Sequence, residues 1–241
     1  MFIRILKNLF ASCTIITSLS LNIEYFYKYF MEKGIKYQSE FKEGNYNLNN
    51  ICIDELDYWR QIFYKHRLIG KDKDRYNGEG YGNVSMRLDN NSEKNKKNFV
   101  ITGSGTGGLE KLSEKDYSIV LEYYPLRNLV VVQKGLIAAS SESMTHGTVY
   151  DLNNSAKYVF HAHSQDIWKN ASRFGIPITK MDITYGTPEM AFEVERLFKE
   201  TNVLDIGIFA MGGHEDGIIS FGRTAEDTGE TILYYLTKSD F

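Results

Sequence analysis

The sequence predicts an α/β fold, a single domain in which a sheet is flanked by helices. Three observations carry this. The chain has 241 residues, of which 42% are hydrophobic and 24% charged, long and apolar enough to bury one sizeable core. Short β-branched runs such as FVIT and LVVV alternate along the chain with segments of helical periodicity. No internal repeat and no Pro- and Gly-rich linker divides them.

Residues 1–30 stand apart from that domain. Arg4 and Lys7 precede a moderately apolar stretch that Ser and Thr dilute, a weak signal-like pattern. It falls short of the roughly 20 apolar residues of a membrane span. From Met31 the composition turns charged and ordinary. The expectation is a domain over 31–241, with 1–30 an extension that is non-native upstream sequence, a signal segment or an amphipathic helix.

Within the domain, DELDYWRQIFYKHRLIG (54–70) places Leu56, Trp59, Ile62, Phe63 and Leu68 on one helical face, with Asp54 as N-cap and Gly70 as stop. GYGNVSMRL (80–88) reads as a strand, DNNSEKNKKN (89–98) as a solvated hairpin tip, and FVITGSGTGG (99–108) as a strand entering a glycine loop. SEKDYSIVLEYY (113–124), with Ser113 three residues before Asp116, reads as a short capped helix. LVVVQKGLIAA (129–139) is a strand or hairpin, SESMTHGTVYDLNN (141–154) a helix stopped by Asn, and AKYVFHAHS (156–164) a strand. TPEMAFEVERLFKET (187–201) is a helix with Thr187 at the N-cap and Pro188 in the first position. DIGIFAMGGHEDGIISFG (205–222) reads as two strands joined by a tight Gly turn, and TAEDTGETILYYLTKS (224–239) as a closing helix.

A net charge of -3, with neither half basic, argues against a nucleic-acid partner. Two cysteines, Cys13 and Cys52, make neither a disulfide framework nor a thiolate cage, so any metal falls to His and carboxylates. Four Asn-x-Ser sequons, beginning at Asn83, Asn90, Asn153 and Asn170, would be acceptors in a eukaryotic secretory route. The first lies among the candidate site residues, which favours a cytoplasmic location.

The histidines are not equivalent. His161 and His163 are two residues apart in a strand, so both imidazoles leave the same face, the spacing of two ligands to an ion such as Zn²⁺. His214, set among Gly212, Gly213 and Gly217, offers a third nitrogen, and three His leave a position open for water or substrate. The competing reading is an accidental pair of surface or core imidazoles. His66, on the Trp59 helix, reads as structural. Glu142 opens a helix after Ser140 and Ser141, where unpaired N–H groups and the helix dipole favour anions. GNVS and ITGSG add small residues after strands that can offer donors to an anion. Neither glycine loop has the Walker Lys or a dinucleotide-fold spacing.

Taken in order, GNVSMR, ITGSG, SSE with His146 four residues later, HAH, and a Gly-His turn before an apolar strand resemble the class II aldolase and adducin head-domain family, over roughly Asp54 to the C-terminus. The resemblance implies a three-layer α/β/α domain around a predominantly antiparallel sheet. It implies one divalent metal per chain, usually zinc, on His161, His163 and His214, with Glu142 as acid/base. It assigns a substrate phosphate to Gly82, Asn83, Ser104, Gly105, Ser140 and Ser141. It further implies a homotetramer, because family sites lie between subunits and borrow a residue from the adjacent chain. The implied activity is an aldolase-type lyase acting on a small phosphorylated ketose through a metal-stabilised enediolate. Alternatives are a dehydratase or epimerase on the same site, or a non-catalytic adducin-like interaction module, against which the retained His and Glu142 argue. Two departures stand out. Thr106-Gly107-Gly108 extends the glycine loop, so the phosphate assignment can shift to Thr106 and Gly107, and Glu215-Asp216 intervene between His214 and Gly217. With YGTPEM (185–190), GGHEDGIISFG (212–222) marks a short branch whose similarity begins at KGIKYQSEF (33–41), in keeping with a start at Met31.

Overall fold

The computed structural model describes residues 36–88 and 98–239. The N-terminal extension and residues 89–97 of the expected hairpin tip lie outside the described residues. Strands β1 (Gln38–Lys42), β4 (Asn83–Arg87), β5 (Phe99–Thr102), β6 (Tyr117–Tyr124), β7 (Leu129–Gln133), β8 (Tyr158–His163), β9 (Ile208–Ala210) and β10 (Gly217–Gly222) form one sheet in the order β1-β7-β6-β5-β4-β8-β10-β9. Its pairings are antiparallel except β1 with β7. A separate ribbon joins β2 (Gly70–Lys71) to β3 (Gly80–Tyr81).

Alternation along the strands divides the core into two layers. On one face Val84, Phe160 and Ile218 pack with Leu56, Trp59 and Phe63 of α1 (Asp54–Lys65) and Ile232 and Tyr235 of the C-terminal helix α7 (Ala225–Lys238). On the other, Phe99, Ile101, Val159 and Ile219 pack with Met144 and Val149 of α2 (Ser143–Leu152) and Met190, Val194 and Leu197 of α5 (Pro188–Glu200). Each such side chain contributes about 1.5–3 kcal/mol by burial. This is the three-layer α/β/α arrangement. Short helices α3 (Gln165–Lys169), α4 (Ala171–Phe174) and α6 (Val203–Ile206) fill connections. No helix among the described residues is long and apolar enough to cross a membrane.

Several local expectations are corrected. Tyr117–Tyr124 is strand, preceded only by the 3-10 turn Glu114–Asp116. The Ser113–Asp116 pairing is present, with the carboxylate accepting from the Ser113 amide and hydroxyl, both at 2.8 Å, but β-branched Ile119 and Val120 pair with β5 instead of continuing a helix. Asp54 is the first residue of α1, not its cap; Ile53 caps it without a side-chain bond. That helix stops at Lys65, and Gly70 belongs to the β2 ribbon. His66 is the exposed C-cap of α1. Residues 211–216 between β9 and β10 make a longer loop than a tight turn. Strand β1, whose side chains are mostly exposed, lacks the apolar alternation by which a strand is recognised.

Buried Glu193 on α5 organises the segment that leads to the site. Its carboxylate accepts from the Lys180 amide at 2.9 Å and from Arg196 at 2.8 Å, and Arg196 also donates to the Ile178 carbonyl. Arg196, with the Lys180 donors, holds the Glu193 carboxyl well down, at about 2. A depressed carboxylate stabilises above its unfolded value, near 4.3, and that contribution is lost as pH falls through the folded value. Glu193→Gln should therefore cost about 2 kcal/mol at pH 7. The gap between variant and wild type in urea unfolding should close between about pH 4 and pH 2; a gap independent of pH would contradict this.

Candidate functional site

Antiparallel pairing places Gly217 opposite His163 and Ile219 opposite His161, so the β9–β10 loop folds back over the His-x-His face. His214 in that loop meets the pair. His161 Nε2 lies 3.2 Å from His214 Nε2 and 3.1 Å from His163 Nε2. A tetrahedral ion with Zn–N distances of about 2.0–2.1 Å holds its nitrogens roughly 3.3 Å apart. The three nitrogens have the spacing of a metal-binding triad. Glycines make this possible by close packing. A Cβ on Gly213 would lie 2.0 Å from the Ile183 carbonyl, and one on Gly217 would lie 2.7 Å from the His214 ring. The Gly212-Gly213 pair therefore accommodates the chain at 179–183.

Protonation states suit metal binding. The Ile218 carbonyl can only accept, so His161 Nδ1 at 3.0 Å carries the proton and Nε2 keeps its lone pair. Burial pushes the pKa of His161 down, and those of His163 and His214 well down, aided by the neighbouring imidazoles. These shifts favour the neutral imidazoles that a metal ion needs. His146 is buried in α2 with Nδ1 against Ser85 Oγ at 2.7 Å, and its pKa too is held well down by burial.

Glu142 sits at the N-cap of α2 and is buried. Its Oε2 accepts from Asn83 Nδ2 at 2.8 Å and from the Ser140 hydroxyl at 2.9 Å. Its Oε1 lies 3.7 Å from His214 Nε2 and 3.9 Å from His161 Nε2. One oxygen is anchored while the other faces the triad.

A cleft of about 530 Å³ is lined by Glu142, His163 and His214, and by Gly82, Asn83, Ser104, Gly105, Ser140 and Ser141. His161, against His163 and His214, is fully buried. The donors of Asn83 and Ser140 serve Glu142 in this arrangement. The Thr106 hydroxyl donates to the Gly103 carbonyl at 2.8 Å. Gly107 packs on backbone, where a Cβ would meet the Gly70 carbonyl at 2.7 Å, so the extended glycine run has a packing role.

Sequence reasoning missed four contributors. Lys71 from the ribbon and Tyr185 line the cleft; the Tyr185 ring packs against His214, centroids 4.0 Å apart and planes inclined at 36°. Lys36 holds its ammonium 3.5 Å from the Tyr185 ring centre, and burial lowers its pKa against the opposing pull of Glu142 and Glu79. Buried Arg60 of α1 donates to the Thr106 carbonyl at 3.1 Å and the Glu110 carbonyl at 3.1 Å, tying down the glycine loop. Only an isolated charge within an apolar helix face marks Arg60 in the sequence, and nothing local marks the others.

A family model described as the class II aldolase and adducin N-terminal domain matches residues 64–235. The chain belongs to this family. Its fold is similar to that of the sugar-phosphate aldolase of Thermotoga maritima, at TM-score 0.56 and 14% identity, covering 78% of this chain and 91% of that one. YgbL of Escherichia coli aligns at TM-score 0.54 and 15% identity over 78% and 86% of the two chains. An L-fuculose 1-phosphate aldolase aligns at TM-score 0.53 and 19% identity over 77% and 82%. At these identities the likeness is one of fold. No curated protein matches the sequence. Members of this family are generally metal-dependent, and the His cluster of this chain is able to bind a metal.

Proposed function

We propose that the protein is a zinc-dependent aldehyde-lyase of the class II aldolase type, acting on a small phosphorylated ketose or related hydroxycarbonyl compound. The observation that carries this is Glu142 Oε1, 3.7 Å and 3.9 Å from two nitrogens of the His161–His163–His214 triad while Oε2 is anchored by Asn83 and Ser140. A divalent ion on the three His supplies Lewis-acid stabilisation of the charge that develops on the substrate oxygens as the C–C bond breaks. Glu142 moves the proton at Oε1, taking it from the hydroxyl of the carbon that becomes the aldehyde as the C–C bond breaks and delivering it to the carbon left electron-rich, with the reverse transfers in the condensation direction. Asn83 and Ser140 keep that carboxylate aimed. Gly82, Ser104, Gly105 and Ser141, with Lys71 as the nearby cation, hold the phosphate. The sugar-phosphate aldolase and fuculose-phosphate aldolase among its fold neighbours support this substrate class.

A homotetramer belongs to this reading, checked by light scattering, as does a cytoplasmic location: sequon residue Asn83 is buried with its amide on Glu142, where a glycan has no room.

Phosphoglycolohydroxamate, an enediolate mimic with a chelating head and a phosphate, tests both ends of the cleft. It should raise the melting temperature of the zinc-loaded protein, with about 2.7 kcal/mol of stabilisation at a hundredfold excess over Kd. Ser141→Ala and Lys71→Ala should each weaken its binding several-fold, and His163→Ala should abolish the shift. A screen of ketose 1-phosphates, pentulose 5-phosphates and methylthioribulose 1-phosphate then separates cleavage from epimerisation and water loss. Metal-loaded protein with no shift and no turnover on any of these would end the phosphorylated-substrate reading.

A further inference from the structure

Metal-binding imidazoles are ordinarily oriented by a hydrogen bond from the ring nitrogen that faces away from the ion. His161 follows this pattern through the Ile218 carbonyl. His163 does not: it is 2% exposed, and its Nδ1 has no hydrogen-bond partner among the described residues. Aromatic packing surrounds its ring instead. The Tyr76 ring lies 4.6 Å away, inclined at 66°, and the Tyr81 ring 5.3 Å away, contacts that restrict the plane of the imidazole.

Tyr76 is itself fixed from two sides. Its hydroxyl donates to Asp216 Oδ2 at 2.8 Å and accepts from an Arg75 guanidinium nitrogen at 2.7 Å. The Arg75 guanidinium is 3.6 Å from the same Asp216 oxygen and lies over both tyrosine rings, 4.9 Å from the centre of Tyr76 and 4.8 Å from that of Tyr81, using its planar fork and its flat face together. Asp216 is 5% exposed. Both Tyr76, with φ 48°, and Asp216, with φ 62°, occupy the left-handed region, uncommon for an aromatic residue and held only where surrounding contacts over-determine it. Asp216 belongs to the Glu215-Asp216 pair by which the loop after His214 departs from the family pattern. One carboxylate thus connects that loop, through Tyr76, to the imidazole at the end of β8.

We propose that Asp216, with Arg75, is a positioning residue for the metal centre, acting through the Tyr76 ring to hold His163 in place of the missing Nδ1 hydrogen bond. The proposal rests on the reading of the three His as metal ligands. Its consequence is that metal affinity and coordination geometry depend on residues that donate no atom to the ion.

The test measures Zn²⁺ affinity of metal-stripped full-length protein by competition with a chromophoric chelator, and the visible spectrum of the Co²⁺-substituted protein. Tyr76→Leu should weaken Zn²⁺ binding about tenfold or more, the usual cost of losing an outer-shell partner, and alter the Co²⁺ bands. Asp216→Gly, which keeps the left-handed backbone but removes the anchor, should weaken binding several-fold in the same sense. Asp216→Asn tolerates that backbone and retains an oxygen for the Tyr76 hydroxyl, so it should restore near wild-type affinity and spectrum. Should Tyr76→Leu not fold, the two Asp216 variants decide. If Asp216→Gly lowers the melting temperature yet leaves affinity and Co²⁺ spectrum unchanged, the role is structural only and the proposal is overturned. Wild-type protein that binds neither ion removes the metal-site reading and the proposal with it.

Discussion

Replacing His161 and His163 together by Ala should give a folded chain that retains no stoichiometric metal. Folding should survive because both core layers persist without these side chains: Phe160 and Ala162 remain packed against the α1 and α7 layer, and Val159 against the α2 and α5 layer. Metal binding should not survive, because His214 alone leaves one nitrogen of three where a stable site needs at least three protein ligands. The variant should also lose the stabilisation that zinc gives the wild type, about 2.7 kcal/mol at a hundredfold excess over Kd, while matching the melting temperature of metal-stripped wild type. Elemental analysis and thermal melts with and without zinc read both effects. An unchanged metal content in the double variant would mean that the ion is held elsewhere.

The parts of the fold legible in the sequence are those with a strong local pattern. Pro188 after Thr187 announces α5, and the Thr187 hydroxyl caps it as expected. Alternation in YVFHAH places His161 and His163 on one face of β8, while His214 came into the candidate site only from its glycine context and from the ordered motif set. Residues that act through tertiary contact left no such trace. Tyr117–Tyr124 carries a helix-start signal at Ser113 and Asp116, yet a strand follows because β5 and β7 provide partners on both sides, a tertiary override of a local cue. Lys71 lies in a two-residue strand and Tyr185 in a loop, so neither has periodicity to flag it. Small polar character alone marks the Asn83 and Ser140 side chains as anion donors in the sequence. That both converge on Glu142 depends on β4 lying beside β8 and on the turn into α2, which no local window contains.

Glu142→Gln separates binding from proton transfer more sharply than any other single change. The amide is nearly isosteric, and its carbonyl oxygen can take the place of Oε2 as acceptor from Asn83 Nδ2 and the Ser140 hydroxyl, which lie at 2.8 Å and 2.9 Å. The NH₂ group then occupies the Oε1 position that faces His161 and His214. An amide there neither accepts nor returns a proton at neutral pH. Ser104, Gly105 and Ser141, the residues proposed to hold the phosphate, are untouched, so phosphoglycolohydroxamate should still raise the melting temperature of the variant. Turnover should fall by about 10²–10⁴, the usual contribution of a positioned acid/base. Exchange of the substrate's carbon-bound proton with deuterated water, followed by NMR, should disappear along with cleavage, because both pass through the same oxygen. A folded, zinc-loaded Glu142→Gln protein that still catalyses exchange within about threefold of wild type would assign the proton to another group, and the tyrosine packed against His214, Tyr185, would be the first to replace next.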